Sequence, residues 1–171
     1  MLEEINSRFN SDLKSFNSEN ADSIVFNLGN PSEILLSVGI ENKPIRLNGS
    51  KLLKKMKNHG YNASDIKDLP KAISDPIAIF KDSGTGGTHR ILTELKIKDE
   101  NVLVSIGIGK GGEINFNTIY SVFGKSRDSV KFWLENDSLL YFNKAKAPDY
   151  LHTTPHQSRE QINNQGLICS H

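Results

Sequence analysis

The sequence has 171 residues, 36% of them hydrophobic and 24% charged, which suits one globular domain and excludes a disordered chain. No apolar run approaches the ~20 residues needed to cross a bilayer, and the first residues lack the basic-then-apolar pattern of a secretory signal. The formal net charge of +1 says little about nucleic acid, because phosphate binding depends on local charge.

The first half of the chain predicts helices. Apolar residues recur at helical spacing over residues 5–16, which indicates an amphipathic packing helix. Further helices are predicted over residues 30–39, 50–60 and 64–75. These three begin at residues that favour helix N-termini, which are Asn30, Ser50 and Ser64.

A basic patch surrounds the predicted helix at residues 50–60. Between Glu41 and His59 there are six cations and no acid other than Glu41 itself. The six are Lys43, Arg46, Lys51, Lys54, Lys55 and Lys57. A phosphate-binding surface and an ordinary solvated helix face both explain this pattern.

Strands are predicted after residue 76, where β-branched and aromatic residues dominate. The runs are residues 77–80, 90–97, 102–108 and 114–123, with a helix over 126–136 and a closing strand over 138–142. Short glycine-bearing connections predict antiparallel hairpins. We therefore expect an α+β fold, with N-terminal helices packed on one face of a twisted antiparallel meander of four to five strands and the other face free.

Three segments follow from these patterns. Residues 1–27 form an N-terminal helix and linker, 28–151 an α+β domain, and 152–171 a polar tail that is loose or held by a partner. The glycine-rich residues 107–113 lack the spacing of a phosphate loop and predict a hairpin turn. The single cysteine, Cys169, excludes an internal disulfide, and its spacing from the tail histidines matches no compact metal site, so we expect no metal and a reducing compartment.

His59 is the histidine predicted to lie on a regular element of the core, at the C-terminal end of its helix. Imidazole groups titrate near neutral pH and can move the proton of a 2′-hydroxyl or a leaving oxygen during phosphodiester cleavage. Nearby cations would stabilise the charge that develops on phosphorus. A capping or solvent-facing histidine is the alternative interpretation, and His89, beside a glycine-rich loop, is a minor candidate.

The run at residues 114–125 is predicted to be a strand with one polar face. Strict alternation puts Asn117 and Ser121 on the same side, with Lys125 just past the end. These groups could present donors to a phosphate or a base, although an ordinary solvent-facing strand has the same pattern. In the run at 90–97, Thr93 and Glu94 cannot face one site without a bulge.

Four motifs taken together resemble a known domain. They are LLKKMKNHGYNASDIKDLPKAISDPIAIFKD, ILTELKI, FNTIYSVFGK and SLLYFNKAKAPDYL. In this order, and with the upstream run LGNPSEILLSVG, they resemble the C-terminal domain of phage MuF-type proteins over residues 28–151. That domain is grouped with the barnase, EndoU, colicin and RelE-like nucleases. His59 matches the helix histidine of that family, and Phe123 stands where the family has a tyrosine.

The resemblance implies a metal-independent endoribonuclease that needs no cofactor and leaves a 2′,3′-cyclic phosphate. It would be a toxin or a mobile-element effector acting in the cytoplasm of its own cell or of a target cell, with RNA and a cognate immunity protein as partners and no membrane. His59 would be the general acid or base, and the remaining expected site residues are Ser121, Lys125, Thr93, Asn117, Lys55 and Tyr141.

Two other functions are weighed against this one. A catalytically silent module would bind nucleic acid or protein through the same sheet face, and Trp133, Tyr141 and Phe142 would then matter more than His59. An ADP-ribosyltransferase-like effector would consume NAD, but the sequence has no glutamate pair at Glu-x-Glu spacing to support it.

Overall fold

The computed structural model describes residues 1–82, 88–108, 115–136 and 138–152. Within these ranges the α-helices are α1 (Leu2–Ser15), α2 (Glu33–Ser37), α3 (Gly49–His59), α4 (Leu69–Ser74) and α5 (Arg127–Glu135). The strands are β1 (Val25–Asn27), β2 (Ile45–Asn48), β3 (Ala78–Lys81), β4 (His89–Ile97), β5 (Glu100–Ile108), β6 (Asn117–Gly124) and β7 (Leu139–Phe142). Short 3₁₀ helices lie at Ala21–Ser23, Ala63–Ile66 and Asp149–Leu151.

The strands form one sheet in the order β1-β2-β6-β5-β4-β3-β7. The four central strands follow one another as an antiparallel meander, and β7 returns to pair antiparallel with β3. The α+β class and the meander are thus confirmed. The sheet is wider than the predicted four to five strands because β1 and β2 extend it beyond β6, where β2 pairs parallel with β6.

The first face of the sheet carries the larger core. Buried side chains from α1, α3 and α4 pack on it together with alternate residues of the strands. Phe9 of α1 and Phe26 of β1 meet here with ring centroids 5.3 Å apart. The first 27 residues therefore contribute to the same core as the strands that follow.

The second face is covered at one end. Val130 and Leu134 of α5 pack there on Phe80 and Leu92, and the 3₁₀ helix Asp149–Leu151 joins the same cluster. The expectation that this face is free is wrong at the β3–β7 end, because α5 returns across the sheet after β6. Towards β5 and β6 the face is more open, and Ser105 and Ser121 are half-buried there.

Hydrogen bonds fix the ends of several helices. Ser32, not Asn30, caps α2, since its hydroxyl accepts from the Leu35 amide at 3.4 Å. Asn62, not Ser64, begins the next helical turn with a reciprocal capping box. At Gly60 the backbone turns left-handed with φ of 65°, a conformation that glycine adopts without cost, and α3 stops as predicted.

A polar tether holds α1 to the start of α4. The Asp68 carboxylate accepts hydrogen bonds from the side-chain amides of Asn6 at 2.8 Å and Asn10 at 2.7 Å. These bonds, that of Asn10 foremost, lower the pKa of Asp68. No helix within the described ranges has both the length and the apolar character that spanning a membrane requires.

Candidate nucleic-acid interface

The path of the chain after β2 brings α3 alongside β6. Strand β2 pairs with β6 at two positions, Ile45 with Asn117 and Arg46 with Thr118, and α3 begins at the next residue after β2 ends. Helix α3 then packs along the remainder of β6. Just after the helix, buried Tyr61 donates a hydrogen bond to the Val122 carbonyl oxygen. At Val122 the edge of β6 beside α3 is therefore bonded by a side chain and not by a neighbouring strand.

His59, at the end of α3, stacks on Phe123 of β6. The ring centroids are 4.2 Å apart and the planes differ by 4°, which is a parallel stack. His59 is exposed and Phe123 is half-buried, so the phenyl ring supports one face of the imidazole. The edge nitrogens of an imidazole held in this way remain the groups available for proton transfer.

Two lysines flank this stack. The Nζ atom of Lys55 lies 5.9 Å from the centroid of the Phe123 ring, and that of Lys125 lies 5.5 Å from it. Both side chains are half-buried. An ammonium group over an exposed ring is held by only ~0.5–1 kcal/mol, so each lysine can leave the ring for a phosphate.

Cation–ring contacts continue from Lys125 to Trp133 of α5. Its Nζ atom is also 5.1 Å from the Trp133 ring centroid, and the Arg90 guanidinium carbon is 4.4 Å from that centroid. Arg90 also pairs with Asp82, Nη2 to Oδ1, at 3.1 Å. We call this set the His59 cluster, and its members are His59, Phe123, Lys55, Lys125, Trp133 and Arg90.

Two further cation–ring pairs involve β6 and the residue just before it. Lys51 of α3 lies 4.9 Å from the Tyr120 ring, and the Arg46 guanidinium of β2 lies 3.6 Å from the Phe116 ring. Positive charge alternating with aromatic rings suits a nucleic-acid strand, since cations bind phosphates and rings stack on bases. The basic patch predicted from the sequence is therefore interleaved with aromatic side chains.

A bulge in β6 decides where Ser121 lies. The pairing with β5 shifts between Ser105 and Ile106, so Tyr120 is an extra residue on β6. Ser121 pairs with Ser105, on the second face, whereas Asn117 is buried towards the first. The prediction that Asn117 and Ser121 share a face is wrong, because the bulge breaks the strict alternation on which it depended.

Asn117 is buried, and its side chain bonds to the backbone of a neighbouring loop. It is 1% exposed, and its side-chain amide donates to the carbonyl oxygens of Glu41 and Lys43, both at 2.8 Å. These bonds tie the loop before β2 to the start of β6. Tyr141 is likewise buried, 3% exposed in the first core, and burial raises the pKa of its phenol. Neither residue joins the His59 cluster.

Thr93 lies in a second bulge, which is in β4. The β4–β5 pairing shifts between Leu92 and Lys96. Thr93 is fully buried, and its hydroxyl donates to the Val102 carbonyl oxygen at 2.9 Å while accepting from the Leu95 amide at 3.3 Å. Asn101 donates to the Thr93 carbonyl oxygen at 3.0 Å. Because both capacities of its hydroxyl are used inside the sheet, Thr93 supports the fold and lies outside the cluster.

The other described histidines lie elsewhere. His89 Nε2 is 2.9 Å from the Val38 carbonyl oxygen, and burial lowers the pKa of its imidazole. His152 Nε2 is 2.8 Å from the Ala147 carbonyl oxygen. Most of the glycine-rich run 107–113 and the tail residues His156, Cys169 and His171 lie outside the described residues.

The described ranges contain a further pocket but no metal site. No group of three or more His, Cys, Asp or Glu side chains there could hold a metal ion. A pocket of about 390 Å³ lies between α1 and the 3₁₀ helix Ala63–Ile66 and shares no residue with the His59 cluster. Its cationic lining residues are Lys14 and Lys67.

Sequence reasoning missed Arg90 and Tyr120 and undervalued Phe123. The available signal was a run of rings in and just before β6, at Phe116, Tyr120 and Phe123, followed by cations from Lys125 into α5. Arg90 gave no such signal, because it reaches Trp133 only through the β4–β5–β6 pairing and the return of α5.

A comparison with protein families covers both segments that meet in the His59 cluster, the end of α3 and the motif at residues 121–125. A family model described as the phage MuF-C-terminal domain matches residues 50–149, more than half of the chain. The chain belongs to the phage MuF-C-terminal domain family. No curated protein and no solved structure matches it.

The MuF-C-terminal match begins within α3 and includes β3 to β7, so it contains both His59 and Phe123. It leaves out α1, β1, α2 and β2, and is narrower than the expected range of 28–151. The predicted relation to phage MuF proteins is confirmed, whereas grouping with nucleases stays a prediction.

Proposed function

We propose that this MuF-C-terminal domain binds RNA at the His59 cluster and cleaves it without a metal ion. The observation that carries the proposal is the parallel His59–Phe123 stack flanked by Lys55 and Lys125. An oriented imidazole beside two ammonium groups combines a proton-transfer group with groups that stabilise phosphate charge. The expected grouping of the MuF C-terminal domain with nucleases motivates the same activity.

The reaction is transesterification within one nucleotide. The 2′-hydroxyl loses its proton, its oxygen bonds to phosphorus, and the bond from phosphorus to the 5′-oxygen breaks as that oxygen gains a proton. The products are a 2′,3′-cyclic phosphate and a 5′-hydroxyl. His59 acts as general acid or base, Lys55 and Lys125 bind the phosphate, and Ser121, two residues before Phe123 on β6, positions the ribose.

Phe123 has a function that does not need the tyrosine hydroxyl of its relatives. Its ring fixes the plane of the imidazole, so it is a positioning residue in this proposal. Phe123→Tyr keeps the ring and should retain cleavage, whereas Phe123→Leu should lower kcat more than it raises KM. Equal cleavage by the leucine variant would contradict the positioning function.

A catalytically silent RNA-binding module is the second candidate. It is favoured by the burial of Thr93 and Asn117, which removes two of the expected polar groups from the surface. The cation–ring pairs would serve this function unchanged. Under either candidate, the basic charge of the cluster suits an acidic immunity protein, as a toxin or mobile-element effector would require.

The test uses the full purified chain with a labelled RNA in EDTA. We expect cleavage that ends in 2′,3′-cyclic phosphates, and its loss in His59→Ala. His152→Ala is the matched control, because it removes another exposed imidazole at the far end of the described chain and should cleave normally. Intact RNA at enzyme excess overturns the nuclease proposal, and cleavage abolished by EDTA overturns the metal-free mechanism.

A further inference from the structure

We infer that the His59 cluster selects unpaired RNA, with one base stacked on Trp133, a second on the His59–Phe123 stack, and the phosphate between them on Lys125. This inference deepens the proposed function and rests on RNA binding at the cluster. It names the form of the substrate and the position of two nucleotides.

The position of Lys125 is the first reason. Its Nζ atom lies 5.1 Å from the Trp133 ring and 5.5 Å from the Phe123 ring, so one ammonium group is shared by two aromatic surfaces. A dinucleotide has the matching order, in which two bases flank one phosphate. Base stacking is stronger than a cation–ring pair that water can reach, and Lys125 is only half-buried, so the bases can displace the ammonium group onto that phosphate.

The form of the ring surfaces is the second reason. In an A-form duplex the bases stack on one another, and only unpaired bases can be turned out to stack on protein rings. Trp133 is half-buried against Phe80, with ring centroids 5.6 Å apart, and the outer face of His59 is exposed. Phe123 supports the His59 ring. Phe80 and the Arg90 guanidinium, whose carbon lies 4.4 Å from the ring centroid, hold the Trp133 ring. A base stacks on Trp133 by taking the place of Lys125.

The third reason concerns base choice. Stacking on a ring accepts any base, because every base has a π-face. The cation–ring pairs Lys51–Tyr120 and Arg46–Phe116 repeat the arrangement along β6. We therefore expect tolerance of sequence together with strong discrimination against duplex.

Trp133 is the single tryptophan of the chain, so its emission reports on the first base directly. The probe is a 2′-O-methyl RNA about 12 nucleotides long, which lacks the free 2′-hydroxyl needed for cleavage. It is titrated alone and annealed to its complement at one fixed salt concentration, with binding followed by anisotropy and by tryptophan emission. We expect the single strand to bind at least about tenfold more tightly and to quench the emission.

Variants separate stacking from charge. Trp133→Ala should weaken single-strand binding about tenfold, and Trp133→Phe should restore most of it, which excludes misfolding as the cause. Phe132→Ala is the matched control, because Phe132 is the adjacent aromatic residue, 62% exposed and outside the cluster, and it should bind normally.

The results distinguish the two levels of the proposal. Equal binding of duplex, or single-strand binding with unchanged tryptophan emission and an unaffected Trp133→Ala variant, overturns this inference and leaves RNA binding intact. Binding of neither form overturns the proposed function itself.

Discussion

Removal of one ring from α1 tests whether this helix belongs to the folding unit. Phe9 is 1% exposed and packs against Phe26, which is fully buried. Truncating a buried phenylalanine to alanine costs about 3–5 kcal/mol, and the lost aromatic pair lies within that range. Since domains of this size are stable by about 5–15 kcal/mol, Phe9→Ala should remove a large fraction of the total.

The measurement is urea unfolding, followed by far-UV circular dichroism and by Trp133 emission. Trp133 lies on α5, whose apolar residues pack on the second face of the sheet, so a shared transition would show that α1 and α5 unfold together. Phe132→Ala removes the same ring from an exposed site and should change stability by less than about 0.5 kcal/mol. A cost below about 1 kcal/mol for Phe9→Ala, or a tryptophan transition that does not move, would refute the reasoning and favour a separate segment at residues 1–27.

Three further predictions follow from single polar groups. Tyr61→Phe leaves the buried Val122 carbonyl without its donor and should cost about 1–3 kcal/mol in urea unfolding; no change would mean that water replaces the hydroxyl. Asn10 lowers the pKa of Asp68, so the ionised carboxylate stabilises the folded state at pH values above its unfolded pKa of about 3.9. This stabilisation is lost as pH falls through the lower folded pKa. Asp68→Asn should therefore flatten the acid side of a plot of unfolding free energy against pH. Partial burial lowers the pKa of His89, so the free energy of unfolding should fall as pH drops below about 6.5, and His89→Gln should show a smaller difference between urea midpoints at high and low pH.

The central meander could be predicted because its signals are local. Residues of β3 to β6 are rich in β-branched and aromatic side chains, and short glycine-bearing or polar segments separate the strands. Strands β1 and β2 have only three and four residues, and Ile45 finds its partner Asn117 far along the chain. Strands β3 and β7 are as short as β2 but are nearly continuous apolar runs, whereas alternation over three or four residues cannot be told from the pattern of a loop.

The candidate site was only partly predictable for a related reason. The structure places His59, Lys55 and Lys125 around Phe123, and their chemical functions stay predictions. Thr93 is among the site residues that the motif resemblance predicts, and a site residue must be accessible to substrate. Its burial depends on the bulge in β4, which arises from pairing with β5 and has no signature in the run itself.

Two irregularities of the fold create the cluster together. Because α3 begins directly after β2, it occupies the edge of β6 where a further strand would otherwise pair, and its last residue, His59, reaches the SVFGK motif. Because β6 bulges at Tyr120, Ser121 faces the open second face instead of the core. A regular β6 with a longer β2 would bury the same motif within the sheet. The motif residues therefore acquire their exposure from the two places where the sheet departs from regular pairing, and these are the places that local periodicity cannot predict.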